Sequence, residues 1–273
     1  MPAPVVLLLT AAHLPELAAD DQPLISAFAN AGWDPRPAVW SGPIPDADLA
    51  VIRSCWDYTE RLDDFLAAID AIGRRMPLWN PAATVRWNAD KRYLLELAGR
   101  GVATPPLLVT EPGSPHTLDG VMGALGSEQL VLKPVVGASG KGVLRIDPAD
   151  EAAWQHAVAW APMLVQRFVP EVVTDGEWSL RWFHGRLSPA VRKRARAGEI
   201  RVQEEHGGTV EPATPGAVML RAAERALAAV PHPWHYARVD GVMSGGEFLI
   251  MELELIEPQL FLTGNNAASR MPG

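Results

Sequence analysis

The sequence contains a single cysteine, Cys55, among its 273 residues. An intrachain disulfide is therefore excluded, which fits a protein of the reducing cytoplasm. Long apolar runs are also missing: none approaches the ~20 residues needed to cross a bilayer, and the N-terminus lacks the basic region of a secretion signal. Basic residues are fewer than acidic ones: the chain has 24 Lys and Arg and 32 Asp and Glu, which gives a net charge of −8. We therefore expect neither nucleic acid nor a membrane as a partner.

Apolar residues are plentiful, at 48% of the chain, which allows a sizeable buried core. A length of 273 residues suggests about two domains on the usual ~150-residue prior. Over the first 80 residues, apolar strands at 5–10 and 51–54 alternate with helices at 23–30 and 61–75. The second helix carries apolar side chains at helical spacing, namely Leu62, Phe65, Leu66, Ile69 and Ile72. This alternation predicts a small parallel α/β domain.

Beyond residue 80 the pattern changes to shorter strands with fewer helices. A helix is predicted at about 89–100, ended by Gly101, and a polar stretch at 110–128 follows a strand at 107–109. Asp147 and Pro148 are typical of the start of another helix, which we expect to reach about Trp160. The rest predicts one helix at 215–230 and antiparallel strands at 163–168, 177–184, 187–196, 236–243 and 247–256. This part of the chain is expected to be α+β.

The stretch LVLKPVVGASGKGVLRI, residues 130–146, places three glycines, two lysines and a serine between apolar runs. It matches neither a P-loop, nor a dinucleotide-binding fingerprint, nor a nucleophile elbow, because other residues stand at the required positions. The residues after Gly142 are short and β-like, so we expect a hairpin between antiparallel strands. Such a glycine-rich hairpin can close its N–H groups over an anion. An ordinary flexible hairpin is the alternative that these residues leave open.

The last predicted strand, within FLIMELELIEP at 248–258, carries two carboxylates on one face. Glu252 and Glu254 are two residues apart, which on a strand puts them on the same side. They repel each other unless a cation joins them, and Asp240 on the preceding strand could meet them. Three hard oxygen ligands without Cys or His favour Mg²⁺ over zinc. An exposed acidic edge strand is the alternative, although the apolar flanks argue against it.

Basic residues are concentrated in VRKRARAGEIRVQEEHGG, residues 191–208, of this acidic protein. Lys193 and Arg201 could oppose a phosphate or a carboxylate. Strand alternation requires some of the neighbouring arginines to face solvent, and a solvated basic strand is the alternative for the whole run. The seven histidines form no ligand set and are interpreted as structural or solvent-facing.

A third polar segment, IRSCWDYTER at 52–61, follows the end of a predicted parallel strand. Ligands bind at the carboxyl ends of strands in α/β sheets. Arg53, Trp56, Asp57 and Tyr58 offer a carboxylate clamp, an apolar wall and polar contacts for a substrate. A helix start with a core tryptophan explains the same residues equally well.

Taken in order, these features resemble the ATP-grasp superfamily of carboxylate–amine ligases, nearest in layout to bacterial glutathione synthetase-like members. The resemblance covers residues ~80–257, and RSCWDY is similar to a segment in relatives of the ligase that closes the cycloserine ring. It implies that Lys91 and Lys133 bind the phosphates of ATP, and that the metal ligands are Asp240, Glu252 and Glu254. It assigns the other nucleotide contacts to the glycine loop, the adenine hinge and a residue after it: Gly137, Ser139, Gly140, Gly142, Gln166, Arg167, Phe168, Val169 and Glu177.

The resemblance also implies an α+β ATP-grasp fold with three parts. These are an N-terminal parallel α/β substrate domain at 1–88, a lid domain at 89–165, and a mainly antiparallel domain with the metal site at 166–273. The implied cofactors are ATP and Mg²⁺, which Mn²⁺ could replace. A homodimer is the family's expectation, while the sequence itself leaves the assembly open.

The activity that the resemblance implies is the joining of a carboxylate to an amine through an acylphosphate. Lys193 and Arg201 would stabilise the tetrahedral oxyanion, and the lid would keep water from the acylphosphate. No covalent enzyme nucleophile is needed. A small-molecule kinase on the same scaffold, or a non-catalytic nucleotide-binding protein, remains an alternative. The substrates are expected to be small and amino-acid-like, but their identity is not readable from the sequence.

Overall fold

The computed structural model describes residues 2–203 and 206–263 and contains three β-sheets. The first sheet is parallel, in the order β2-β1-β3-β4. Its elements, in chain order, are β1 (Val5–Thr10), α1 (Gln22–Asn30), β2 (Asp34–Val39), β3 (Leu49–Ser54), a 3₁₀ turn (Trp56–Glu60), α2 (Leu62–Arg75) and β4 (Leu78–Trp79). The predicted parallel α/β arrangement is confirmed.

Two of these strands were not predicted from the sequence. β2 reads DPRPAV, and its two prolines lack the backbone N–H groups that a strand paired on both sides would need to donate. The structure resolves this by placing β2 at the edge of the sheet, where it pairs with β1 alone. β4 has only two residues, which is too short for a periodic signal.

Of the predicted helix at 89–100 only α4 (Tyr93–Gly99) is helical, and a separate short helix that was not predicted, α3 (Ala82–Asn88), precedes it. Lys91 lies in the turn between them rather than on a helix. The backbone N–H of Lys91 donates to Val135 O at 2.8 Å, so this turn is bonded to the residue that follows the strand at 130–134. Tyr93, Leu94 and Leu97 of α4 are buried in the core of the third sheet.

The lid sheet is antiparallel, in the order β5-β8-β6-β7. Its elements are β5 (Leu107–Thr110), α5 (Leu118–Leu125), β6 (Leu130–Pro134), β7 (Leu144–Ile146), α6 (Glu151–Val158) and β8 (Met163–Arg167). The glycine-rich loop joins the antiparallel strands β6 and β7, as predicted. Helix α5 was missed inside the segment interpreted as polar. The domain division remains a prediction, with its boundary at 165/166 falling inside β8.

The third sheet has six strands, in the order β12-β11-β9-β13-β14, with β10 paired to β9. Its elements are α7 (Glu171–Thr174), β9 (Glu177–Phe183), β10 (Arg186–Leu187), β11 (Ala190–Arg194), β12 (Thr209–Ala213), α8 (Ala217–Ala228), β13 (Tyr236–Ser244) and β14 (Glu247–Glu254). Helices α4 and α8 pack on one face of it, where Leu253 and Leu255 are buried. None of the helices in the described part of the chain is long and apolar enough to span a bilayer.

The chain after β14 returns to the N-terminal sheet. We call residues 255–262 the connecting segment. Leu260 and Leu262 pack with Leu8 and Val51 in a cluster that also contains Tyr236 of β13. This segment therefore joins the first sheet to the third through a shared apolar core.

Candidate active site

A cavity of about 490 Å³ lies where the three sheets meet. Its walls come from the lid loop, from β13 and β14 of the third sheet, and from the 3₁₀ turn after β3. Many of the residues predicted from the sequence line it: Trp56, Tyr58, Lys91, Lys133, Gly137, Ser139, Gly140, Phe168, Val169, Glu177, Arg201, Asp240, Glu252 and Glu254. Residues from distant parts of the sequence are thus brought to one cavity.

The two predicted phosphate-binding lysines have different surroundings. Lys91 Nζ lies 3.0 Å from Glu252 Oε1 and donates to Gly137 O at 2.7 Å. Burial has the largest single effect and lowers the pKa of Lys91, but the nearby carboxylates, Glu252 foremost, together raise it. Lys133 has no ion pair with any described side chain, and burial lowers its pKa. Its ammonium group is therefore available to an anion in the cavity.

Asp240 stands at the centre of a buried charge network. Its carboxylate accepts hydrogen bonds from Arg238 Nη2 at 2.8 Å, from Lys193 Nζ at 3.0 Å and from the Ser179 hydroxyl at 2.7 Å. Burial alone would raise the pKa of Asp240, yet the Arg238 and Lys193 cations hold it below its ordinary value. Lys193 Nζ also lies 2.5 Å from Glu177 Oε1. Lys193 is therefore enclosed behind these carboxylates and does not line the cavity.

Glu252 and Glu254 lie on the cavity side of β14, as the strand alternation predicts. Burial would raise the pKa of Glu252, but Lys91 and Lys133 lower it. Glu254 forms an ion pair with Arg238, and burial raises the pKa of Glu254 to about 8. Among residues 2–203 and 206–263, no three His, Cys, Asp or Glu side chains form a group that could hold a metal ion. The predicted three-carboxylate cluster is therefore not preformed.

The glycine-rich loop, residues 137–142, closes one side of the cavity. Gly142 does not line the cavity but shapes the loop, because its φ is +74° and a Cβ there would lie 2.9 Å from Pro134 Cγ. Lys141 at the tip forms an exposed ion pair with Glu60 of the 3₁₀ turn, at 2.8 Å. The loop thereby contacts the 3₁₀ turn that follows β3 of the N-terminal sheet.

Phe168 and Val169 form an apolar wall of the cavity together with Val131, Val172 and Met251. The side chain of Gln166 is fully buried, and both of its polar atoms lack a hydrogen-bond partner among the described residues. Gln166 is in register with Val131, so the two side chains share one face of the lid sheet. Gln166 and Arg167 themselves do not line the cavity.

Two of the residues predicted to contact the substrate bind other parts of the protein instead. Arg53 is 1% exposed and donates to Asp21 Oδ1 at 2.8 Å and to Pro258 O at 2.7 Å. Asp57 accepts a hydrogen bond from Trp40 Nε1 at 2.8 Å. Neither side chain lines the cavity, so neither the carboxylate clamp expected of Arg53 nor the polar contact expected of Asp57 is placed to reach a substrate there. Trp56 and Tyr58 remain at the cavity wall.

Sequence reasoning missed several charged residues of this cavity, among them Asp20, Arg238 and Glu257. Arg238 had a signal, since it stands two residues before Asp240 and therefore on the same face of a strand. Glu257 follows the end of β14, where the strand alternation no longer applies, and nothing in the sequence alone distinguishes it from a surface glutamate.

Known proteins are similar to this chain in both sequence and structure. The N-terminal domain model of D-cycloserine synthetase DcsG matches residues 6–80. The cycloserine biosynthesis protein DcsG of Streptomyces lavendulae is 31% identical over 269 residues, which is 89% of this chain and 88% of that protein. The crystal structure of D-cycloserine synthetase DcsG superposes with a TM-score of 0.83 at 29% identity, over 94% of this chain and 93% of the other.

A more distant structure shares the fold alone. D-alanine–D-alanine ligase from Bacillus anthracis, complexed with ATP, superposes with a TM-score of 0.70 at 16% identity. The match covers 94% of this chain and 87% of that one.

Proposed function

Since the chain belongs to the family of the cycloserine biosynthesis protein DcsG, within the ATP-grasp carboxylate–amine ligases, we propose that it activates a small amino-acid-like acid as an acylphosphate. It is an ATP-dependent ligase. The intermediate forms when a carboxylate oxygen attacks the γ-phosphorus of ATP and ADP leaves. An amine then attacks the carbonyl carbon, and phosphate leaves.

The observation that carries this proposal is the arrangement of charge in the cavity. Lys91 binds Gly137 O of the glycine-rich loop and pairs with Glu252, while Arg238 pairs with Glu254, two residues further along the same face of β14. Neighbouring cations of this kind suit a triphosphate next to a reacting carboxylate. Lys133, whose ammonium group has no described carboxylate partner, is the strongest candidate for a phosphate contact.

The carboxylates fit Mg²⁺ by the chemistry of their donor atoms. Mg²⁺ is usually held by one or two carboxylates together with substrate phosphates rather than by an all-protein cage. Glu252 and Glu254 would hold it in this way, and Asp240, already bound by Arg238 and Lys193, would support them. The ion would neutralise charge on the phosphate oxygens.

Arg238 takes over the oxyanion role that was predicted for Lys193. Its guanidinium group reaches the cavity, whereas the ammonium group of Lys193 is enclosed between Glu177 and Asp240. Lys193 is therefore a positioning residue, which acts by holding Asp240. Arg201 lines the cavity near the glycine-rich loop and keeps its proposed role in stabilising the oxyanion. The loop itself excludes water from the acylphosphate.

The acid and the nucleophile can belong to one molecule. This second form of the reaction is favoured by the relationship to a protein named for D-cycloserine synthesis, since a ring closure joins two groups of the same substrate. One cavity with Trp56 and Tyr58 on its N-terminal side would then hold the whole substrate.

The test is an assay of ADP and phosphate release over a panel of small amino acids and their derivatives, with ATP and Mg²⁺. We expect release to require an acid together with an amine, or one substrate that carries both groups. The Asp240→Asn variant should lose this activity. Transfer of phosphate to a hydroxyl group, where it remains, would make the protein a kinase instead.

A further inference from the structure

One carboxylate of the cavity differs from all the others. Glu177, Asp240, Glu252 and Glu254 each form an ion pair with a lysine or arginine, and Asp20 accepts from the backbone N–H groups of Leu260, Phe261 and Leu262. Glu257 forms no ion pair, and its carboxylate accepts no hydrogen bond from another residue within 2–203 and 206–263. The cations that line the cavity are either committed to other carboxylates or, like Lys133, stand at the glycine-rich loop.

Glu257 is nevertheless buried. Its exposed fraction is 6%, and it lines the cavity beside Trp56, Tyr58 and Ile256. Burial raises the pKa of Glu257 to about 7, against a smaller opposing effect of its own backbone N–H and of the more distant Lys91. A charged carboxylate buried without a cation is costly, so the group takes up a proton unless a ligand supplies the missing charge.

The backbone that carries Glu257 is held in place by side chains from three parts of the chain. In the connecting segment, Leu255 O accepts from Asn80 Nδ2 at 2.7 Å, and Ile256 O lies 2.6 Å from the Tyr236 hydroxyl. The next carbonyls continue the series: Glu257 O accepts from Trp56 Nε1 at 3.3 Å, Pro258 O from Arg53 Nη2 at 2.7 Å and Gln259 O from Arg238 Nη1 at 3.1 Å.

Five consecutive carbonyl groups are thus fixed by side chains, which is unusual for a segment outside any strand or helix. Such support is what a binding group needs in order to keep one geometry. Arg53 and Trp56, both predicted from the sequence as substrate contacts, are among the donors. They act on the backbone around Glu257 rather than on a ligand directly.

We propose that Glu257 is the counter-ion for an ammonium group of the substrate, and that it selects amino acids over acids that lack this group. The substrate carboxylate then points toward Arg238 and Lys133, at the end of the cavity where ATP reacts. The assignment rests on the proposed function for the direction of the carboxylate, but the pairing of Glu257 with a cation can be measured without turnover.

The experiment compares Glu257→Gln with wild type in calorimetric binding, in the presence of Mg²⁺ and a non-hydrolysable ATP analogue. The probes are D- and L-alanine and D- and L-serine, each beside the hydroxy acid that replaces its ammonium group by a hydroxyl, lactate or glycerate. Glu247→Gln is the matched control, because Glu247 is exposed at the other end of β14.

Wild type and the control should bind at least one amino acid about tenfold or more tightly than its hydroxy acid. Glu257→Gln should reduce that ratio to about twofold or less, while binding of the ATP analogue stays unchanged. An equal ratio in wild type and Glu257→Gln, or no preference for any amino acid in wild type, overturns the inference.

Phosphate release in the same samples separates the two proposals. Release driven by hydroxy acids as well as by amino acids would leave the ligase mechanism standing and overturn the role of Glu257. A Glu257-dependent preference for amino acids without ATP cleavage would support the role of Glu257 and contradict the proposed function.

Discussion

Arg238 joins more of the active site than any other side chain of the cavity. It binds Asp240 through two nitrogens, pairs with Glu254 and donates to the carbonyl of Gln259. The charges of Asp240 and Glu254 are buried, and their stability depends on this guanidinium group. A residue with a proposed catalytic role thus also holds the site together.

Replacing Arg238 by Met should lower the free energy of unfolding by about 3–5 kcal/mol, because Glu254 loses its cation and Asp240 keeps only Lys193. Arg192→Met on β11 is the control, because its ion pair with Glu211 is largely solvated and should contribute much less. Urea denaturation of both variants at neutral pH measures the difference. Equal losses would contradict the network.

Glu257→Gln should stabilise the protein without ligand, and only at higher pH. The pKa of Glu257 is raised from its ordinary 4.5 to about 7, so the folded protein binds a proton that the unfolded chain has lost between those values. Wild type therefore loses stability relative to the variant as pH rises through this window, by about 3 kcal/mol in total. Denaturation at pH 5 and pH 8 tests this, and the same difference at both would argue against a buried, unpaired carboxyl.

The two lysines around the loop should contribute unequally to nucleotide binding. Lys133→Ala should weaken binding of an ATP analogue about tenfold or more, because its buried ammonium group has no competing described carboxylate. Lys141→Ala should cost less than about fivefold, since Lys141 is exposed and paired with Glu60. Calorimetry with both variants decides, and a larger loss for Lys141→Ala would reverse the assignment.

At the scale of elements, the lid hairpin depends on the conformation of its glycines. Gly142→Ala should weaken binding of the ATP analogue, because the added Cβ would press on Pro134 and move the loop. Gly113→Ala is a matched control: its φ of +77° imposes the same strain of roughly 1–2 kcal/mol, but no atom lies within 4 Å of the added Cβ. Loss of affinity in both variants would show that general destabilisation, not the loop, is responsible.

Elements with a clear period could be predicted from the sequence, and those without one could not. The strands β1, β3, β13 and β14 and the helices α1, α2 and α8 lie within about two residues of their predicted bounds. Edge strand β2 was hidden by its prolines, and α5 by the glycines and polar residues around it. Helix α4 is only seven residues long, and the turn that carries Lys91 is set by its bond to Val135 rather than by local preference.

At the scale of the whole molecule, the active site is assembled by contacts between residues far apart in the sequence. Arg53 meets Pro258 and Trp56 meets Glu257 across more than 200 positions. The resemblance to ATP-grasp ligases predicted the fold and many of the residues that line the cavity. It could not predict that the RSCWDY segment supports the backbone of the connecting segment, because that depends on how the N-terminal sheet packs against it.

The proposed reaction begins when a substrate carboxylate attacks the γ-phosphorus of ATP. The most direct measurement uses an acid labelled with ¹⁸O in its carboxylate and follows the oxygen by mass spectrometry of the released phosphate. An acylphosphate pathway transfers one labelled oxygen to each phosphate, in step with ADP formation. Phosphate without the label, or phosphate retained on the substrate, would contradict the account.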